Sequence, residues 1–370
     1  MKLTIKTLFG FEDILAKEVE ALGGEKIEKI TRGVQCEGNP AFLYRANLSL
    51  RTAMKILVPI YSFRAKNEKQ LYDKMMEFDW SNFLDVDQTF AIDPVIFSEI
   101  FTHSKFVGLK AKDAMVDQYR NKYRRRPSID TDKPDVLFNL HCANDSFTIS
   151  MDSSGAALNQ RGYREEGHRA PMNEVLAAGM VILSGWDKKS PLVDPMCGSG
   201  TILTEAAMIA MNMGPNLKRK EFGFRTWPEY SPILFNNIKN EELGKIRKPS
   251  MDLIGIDIDD SAVTLARKAL GKIGLRREVK IKTMDFREFK PINDAGTIIT
   301  NPPYGERIGD DILEFYKTMG DAFKQNFVGY DAWLISSNKQ ALKQIGLKDS
   351  ERIKLYNGKL ECDFCKYELY

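Results

Sequence analysis

Cysteine is scarce in this 370-residue chain: five residues, at 36, 142, 197, 362 and 365, odd in number and mostly scattered. That excludes a disulfide framework and points to a reducing compartment. Long apolar runs are missing. The longest, about residues 175–183, falls far short of the roughly 18–20 residues that a membrane span needs. The first eleven residues alternate Lys and Thr with apolar side chains and lack the apolar stretch of a secretory signal. A soluble, cytoplasmic protein is the expectation. Charge of one sign is missing too: 54 Lys and Arg against 51 Asp and Glu leave a net of +3, so any cationic surface for a polyanion must be local. The three histidines, 103, 141 and 168, show no metal-ligand spacing, and no metal is expected.

What is present is ordinary globular material. The hydrophobic fraction is 43% and the charged fraction 28%, enough for a sizeable core and too apolar for wholesale disorder. Length alone suggests two or three domains at about 100–200 residues each. Residues 1–44 read as a small α+β unit: a strand with Leu3 and Ile5, a helix over 11–22 ended by Gly23-Gly24, then short strands at 26–30 and 33–36. Residues 45–155 form a second unit. It has helices expected over 47–58, 69–76 and 106–120 and strands over 89–97, 135–141 and 146–150, the last two joined by a turn at 143–145. A connector, 156–169, contains Arg161-Gly162-Tyr163-Arg164. From 170 to 370 short apolar runs (191–195, 253–257, 279–284, 297–300, 332–336) alternate with helical patterns near 199–213, 260–271 and 310–326. That rhythm argues an α/β fold with a parallel, doubly wound sheet. The chain ends on a hairpin signal, with Asn357-Gly358 suited to a type I′ turn.

Four motifs in this last region carry chemistry. Asp194-Pro195-Met196-Cys197-Gly198-Ser199-Gly200-Thr201 follows the first buried strand and opens a helix, the ligand crevice of such sheets. It lacks the Lys-Ser/Thr of a phosphate-binding P-loop and the GxGxxG spacing of a dinucleotide site. An aspartate there suits a cationic ligand such as S-adenosylmethionine, which carries an ammonium and a sulfonium; the bland reading is a Gly-rich packing turn. Asp257, followed by Ile258, ends the next strand and is placed to accept ribose hydroxyls. Its offset of 63 from Asp194 exceeds the usual 20 or so, so a polar insert, about 212–250, intervenes. Asp259 or Asp260 suits a helix cap instead. Asp285-Phe286 ends a third strand, where the acid suits an adenine amine and the ring its face, though a capping Asp is as common there. Asn301-Pro302-Pro303-Tyr304 follows a fourth strand. An exocyclic base amine is a weak nucleophile, because its lone pair is delocalised into the ring. The Asn301 side-chain oxygen and the Pro302 carbonyl can accept its two N–H groups and aim the lone pair at a methyl donor. The prolines stiffen this backbone, and Tyr304 offers a stacking face for a base taken out of its helix.

These four motifs, in this order, resemble class I S-adenosylmethionine-dependent methyltransferases of the amino-methylating type. With Arg161-Gly162-Tyr163-Arg164 and Ala170-Pro171-Met172-Asn173-Glu174, the chain resembles over its whole length the bacterial THUMP-containing rRNA guanine-N2 methyltransferases. The resemblance implies a Rossmann-like methyltransferase domain, preceded by a ferredoxin-like unit and a THUMP RNA-binding domain. It implies S-adenosylmethionine as cofactor, with the segment of Pro171 and Asn173 flanking it, and N2 methylation of a guanine in 23S rRNA, a step of rRNA processing. Some relatives fuse a second methyltransferase domain; here one modification is expected. Alternatives are a tRNA guanine-N2 enzyme, a DNA adenine-N6 enzyme that would leave the N-terminal half unexplained, and a non-catalytic RNA-binding factor.

The expected RNA contacts are Arg120, Lys122, Arg124, Arg125 and Arg126, five cations within seven residues interleaved with Tyr123. Lys105 and Lys110 lie on the same helix, together with Lys112. A solvated helix face is the competing reading. Arg161 and Arg164 suit RNA contact or the orienting of two domains. Cys362 and Cys365 sit three apart in an expected strand and so face opposite sides, against joint metal ligation. Cys197 has no partner motif for thiol catalysis. Oligomeric state is open.

Overall fold

Leu3 and Ile5 alternate with polar neighbours and point one face of the first strand inward. The computed structural model describes residues 1–164, 172–303 and 311–370. It opens β1 (Lys2–Lys6), α1 (Glu12–Ala21), β2 (Glu25–Ile30), β3 (Gly33–Glu37), α2 (Pro40–Ser49) and β4 (Lys55–Arg64), a ferredoxin-like βαββαβ run. A second unit follows: α3 (Glu68–Glu77), β5 (Thr89–Phe97), α4 (Ser104–Tyr123), β6 (Ser128–Ile129), β7 (Val136–Ala143) and β8 (Ser146–Asp152). Both units share one sheet, ordered β2-β3-β1-β4-β8-β7-β5-β6. Strand β4 joins the halves. It pairs with β1 along Lys55, Ile56 and Leu57, then with β8 from Leu57 to Arg64, with a bulge between Pro59 and Tyr61.

The helix expected over 47–58 does not form. Asn39 accepts from Phe42 N at 2.8 Å and Pro40 takes the first helical position, so α2 starts earlier and stops at Ser49. The β-branched and aromatic stretch after it becomes β4 instead. The expected boundary at 44/45 therefore falls inside α2.

The last region contains α5 (Glu174–Leu183), β9 (Leu192–Asp194), α6 (Thr201–Ala210), α7 (Pro232–Gly244), β10 (Leu253–Asp257), α8 (Asp260–Lys272), β11 (Lys280–Thr283), β12 (Gly296–Thr300), α9 (Asp311–Asn326), β13 (Tyr330–Ser336), α10 (Lys339–Gln344), β14 (Glu351–Asn357) and β15 (Leu360–Glu368). Its sheet runs β11-β10-β9-β12-β13-β15-β14, parallel through β13 and antiparallel at the hairpin. This is the expected Rossmann-like order, with β9 at the point where the winding reverses. The hairpin turn differs by one residue. Asn357 pairs with Leu360, leaving Gly358 and Lys359 as the loop, and only Gly358 of these has positive φ, +63°. That is the glycine-first pattern of a type II′ turn. Cys362 and Cys365 are buried in separate cores on opposite faces of the sheet, as their spacing predicts.

One buried network ties these parts together. The Arg161 side chain, 1% exposed, donates to Leu158 O and to Arg51 O, both at 2.6 Å. Its Nε stands 3.5 Å from Glu205 of α6. Tyr163 donates its hydroxyl to the same carboxylate at 3.0 Å. Arg161 is thus withdrawn from solvent and holds the first unit against α6, which corrects its assignment to RNA. Arg161→Ala should destabilise the fold by about 3–5 kcal/mol, because it strands a buried carboxylate. Arg161→Met with Glu205→Leu should regain most of that. Urea midpoints measure both, and an unshifted midpoint for the single change would mean the pair contributes nothing.

Candidate functional site

The carboxyl ends of β9, β10 and β12 converge on a cavity of about 260 Å³ lined by Met172, Asp194, Met196, Gly198, Asp259 and Asn301 among others. Two acids organise it. The Asp194 carboxylate is 1% exposed; its Oδ1 accepts from Thr300 Oγ1 at 2.8 Å and Met196 N at 3.3 Å. Its Oδ2 has no hydrogen bond among the described residues. Burial pushes this carboxyl up to about 7, with the nearby Asp257 charge adding to the effect. Asp257 accepts from Gly198 N at 2.8 Å and Asp259 N at 3.0 Å. It therefore clips the loop after β9 to the loop after β10 and keeps lone pairs for a ligand. The loop bends through Gly198 and Gly200, at φ +51° and +75°. A Cβ on Gly200 would come within 2.9 Å of Ala266, so the glycine also lets α6 and α8 approach.

Asn301 leaves β12 at the cavity, and its Oδ1 is buried with no hydrogen-bond partner among the described residues. A buried unpaired acceptor is costly and is the feature a donor ligand would satisfy. Pro302 is buried beside it and Pro303 exposed. Pro171 and Tyr304 lie outside the described residues.

The other expected ligands are placed unevenly. Thr201 and Cys197 line the cavity, and burial pushes the Cys197 thiol well up, so it is no thiolate. Pro195 is buried at the loop start, Ile258 is 71% exposed, and neither Ile258 nor Asp257 is among the residues lining the cavity. Asn173 spends its side-chain oxygen capping α5, accepting from Val175 N at 2.8 Å. Asp285 is held by the Arg287 guanidinium, which keeps its carboxyl below the usual range. Phe286 packs edge-on to Phe315 in the core. Neither of these two lines the cavity. Met172 and Ser199, from the two segments expected at the cofactor, do line it, as do Asp259 and Ser261, which were not anticipated as ligands. Asp259 caps α8 by accepting from Ser261 N at 2.8 Å, and that Asp-x-Ser capping pattern right after Asp257 was the available signal.

Away from the cavity, helix α4 ends in the basic run, with Arg124 in the left-handed conformation at its C-cap. Arg120 pairs with Asp117, Lys122 with Asp79 and Arg125 with Asp87. Arg124 and Arg126 are exposed and have no acidic partner among the described residues, and Lys105 is exposed. Lys110 lies over the Tyr72 ring, 5.2 Å from its centre. Arg164 pairs with Glu174 at 2.9 Å and donates to Met172 O, so it buttresses the cavity wall. Among the described residues no helix is long and apolar enough to cross a membrane.

Comparison with known proteins adds three matches along the chain: an RlmL ferredoxin-like domain over residues 2–57, a THUMP domain over 65–152 and an RMKL-like methyltransferase domain over 161–366. A protein of Synechocystis named as a candidate RNA methyltransferase is 35% identical over 98% of this chain and 95% of its own length. The ribosomal RNA large subunit methyltransferase K/L of Syntrophotalea carbinolica is 35% identical over 97% of the chain. The chain spans 52% of that relative's length. A crystal structure of a candidate methyltransferase complexed with S-adenosylhomocysteine superposes over the whole chain with a TM-score of 0.90 at 29% identity.

Asp194 has a signature in stability. Its folded carboxyl titrates near 7 and its ordinary value is 3.8, so the folded chain holds the proton more tightly than the unfolded one. The stabilisation from that proton is complete below the ordinary value and is lost as pH rises through about 7. Wild type should therefore lose stability relative to Asp194→Asn between about pH 3 and 8, by a total on the order of 4 kcal/mol. Unfolding midpoints across that range measure it, and parallel profiles would contradict it.

Proposed function

As a member of the RMKL-like methyltransferase family, this chain, we propose, moves a methyl group from S-adenosylmethionine to the exocyclic N2 amine of a guanine in large-subunit ribosomal RNA. The observation that carries the amine is Asn301, whose side-chain oxygen is a buried acceptor without a partner among the described residues. RNA as the substrate is supported by the THUMP match and by the relatives named for RNA.

The residues present fit the cofactor. Asp194 offers a buried carboxylate oxygen to a cation, and Asp257 offers acceptor lone pairs to ribose hydroxyls. Where a side chain would project from Gly198 there is nothing within 4 Å, so a ligand can lie against the backbone. When bound, S-adenosylmethionine supplies an electrophilic methyl on its sulfonium. Asn301 and the Pro302 carbonyl accept the two amine N–H groups, which holds the nitrogen lone pair in line with that methyl. Arg164 and Glu174 hold the Met172 wall. Tyr304 is proposed to stack on the target base, and Pro171, Asn173, Ile258, Asp285 and Phe286 to complete the cofactor surroundings. Residues 1–44 are proposed as a ferredoxin-like unit and 45–155 as the RNA-binding THUMP domain, joined through 156–169 to a catalytic domain from 170, with the first boundary moved beyond α2.

Mass-spectrometric mapping of modified bases in rRNA and tRNA from a strain lacking the gene tests this reading. Loss of one N2-methylguanine from 23S rRNA is expected; a loss confined to tRNA would reassign the substrate, and a lost N6-methyladenine would overturn the base. In vitro, Asn301→Ala should cut transfer by about 10²–10³-fold while S-adenosylhomocysteine affinity by calorimetry stays within about twofold. Equal turnover would refute the orienting role. Replacing Arg124 and Arg126 with Gln should weaken binding of deproteinised 23S rRNA and lower the salt slope by about 1–2. An unchanged slope would place the phosphate contacts elsewhere.

A further inference from the structure

The second unit is tied to the rest of the protein in a way that needs a brace. Their common sheet passes from one unit to the other through β4 alone, and β4 carries a bulge between Pro59 and Tyr61 at the crossing. A bulged strand bends there, and relative motion of linked domains is the default unless a second contact prevents it.

The polar insert between α6 and β10 supplies such a contact. At one end α7 lies on α2, where Glu242 accepts from Arg45 Nε at 3.1 Å and Ser49 Oγ at 2.7 Å. Near its start the Arg219 guanidinium donates to the carbonyls of Ser154, Ala156 and Ala157, where the second unit runs into the connector. The 3-10 turn Gly223–Thr226 then touches the THUMP domain itself. A Cβ on Gly223 would stand 2.2 Å from Asp152 O, so only glycine allows that approach. The Thr226 hydroxyl donates to Asp135 O, and the Thr226 backbone carbonyl accepts from Gln88 Nε2 at 2.9 Å. Trp227 packs against both hydrophobic cores, the one shared by the N-terminal unit and the catalytic sheet and the one inside the THUMP domain.

This contact reaches the cationic end of α4. Arg125 pairs with Asp87, the neighbour of Gln88, which holds Thr226. The insert thus sits one residue away from the anchor of the basic run whose Arg124 and Arg126 face solvent. A crossover between parallel strands needs only about a dozen residues; this one is far longer, and the added length contacts all three parts of the protein.

We infer that Trp227 and Thr226 are positioning residues: they fix the distance from the THUMP surface to Asn301 and so decide which nucleotide of a bound RNA reaches the cavity. The inference rests on the RNA methyl transfer proposed above. Neither residue lines the cavity, so loosening the joint acts on RNA presentation.

The test compares Trp227→Ala, Trp227→Phe and Thr226→Val in the full chain, with deproteinised 23S rRNA as substrate. For Trp227→Ala, S-adenosylhomocysteine affinity should stay within about twofold, the KM for RNA should rise about tenfold, kcat at saturating RNA should stay near wild type, and methylation should spread to additional guanines. Trp227→Phe should restore all of these, because the indole N–H has no hydrogen-bond partner among the described residues and packing alone is at stake. Thr226→Val, which removes one hydroxyl, should raise KM about two- to threefold. A wild-type KM and a single wild-type methylation position in Trp227→Ala would overturn the inference. If that variant fails to fold, the same result in Thr226→Val overturns it. Small-angle scattering judges the brace apart from activity. An enlarged radius of gyration for Trp227→Ala supports it even if wild type methylates no RNA, which would sink the functional reading alone; an unchanged scattering profile counts against the brace.

Discussion

A guanidinium cannot be buried without partners, and the rest of this molecule is arranged around satisfying one. Arg161 is surrounded by Leu158 O, Arg51 O and the Glu205 carboxylate. These come from the connector, the N-terminal unit and α6. Desolvating a charge costs several kcal/mol unless geometry and hydrogen bonds offset it, so the three segments are held to one mutual arrangement. Helix α6 starts at the glycine loop of the cavity. The contact that closes the protein around its connector therefore also fixes the helix from which the cavity is built.

The cavity follows the same logic in reverse. Asp194 and Asp257 spend acceptor capacity on Thr300 and on loop N–H groups. That holds the ends of β9, β10 and β12 in register. Burial leaves Asp194 with a raised affinity for protons, and a cation placed against it would restore its charge. Asn301 Oδ1 and Asp194 Oδ2 are left without hydrogen bonds among the described residues, as expected where a fold is shaped for a ligand and gives up some stability to keep acceptors open.

The cationic surface proved smaller than a count of basic residues suggests. Arg120, Lys122 and Arg125 have acidic partners, Arg164 buttresses Met172, and Arg219 serves as a fork for four carbonyls. Arginine's planar, multi-donor head makes it a structural fastener as readily as a phosphate contact, and sequence alone does not separate the two uses.

Local sequence determined much here. The alternation of short apolar runs with helical patterns, the acids at strand ends, the Gly198 and Gly200 bends and the Asn301-Pro302-Pro303 loop were all legible, because each expresses a backbone preference or a chemical need within a few residues. The opposite-face placement of Cys362 and Cys365 followed from strand periodicity in the same way. The helix expected over 47–58 was misplaced: α2 ends at Ser49 and Lys55–Arg64 pairs as β4. Tertiary structure decided what depends on neighbours distant in the chain. It set which arginines are buried, that Asp285 is taken by Arg287, that Asn173 caps a helix, that β4 belongs to both halves of one sheet, and that the insert near Trp227 joins two cores. Those outcomes turn on desolvation and on competition between partners, which a linear pattern of residue types does not record.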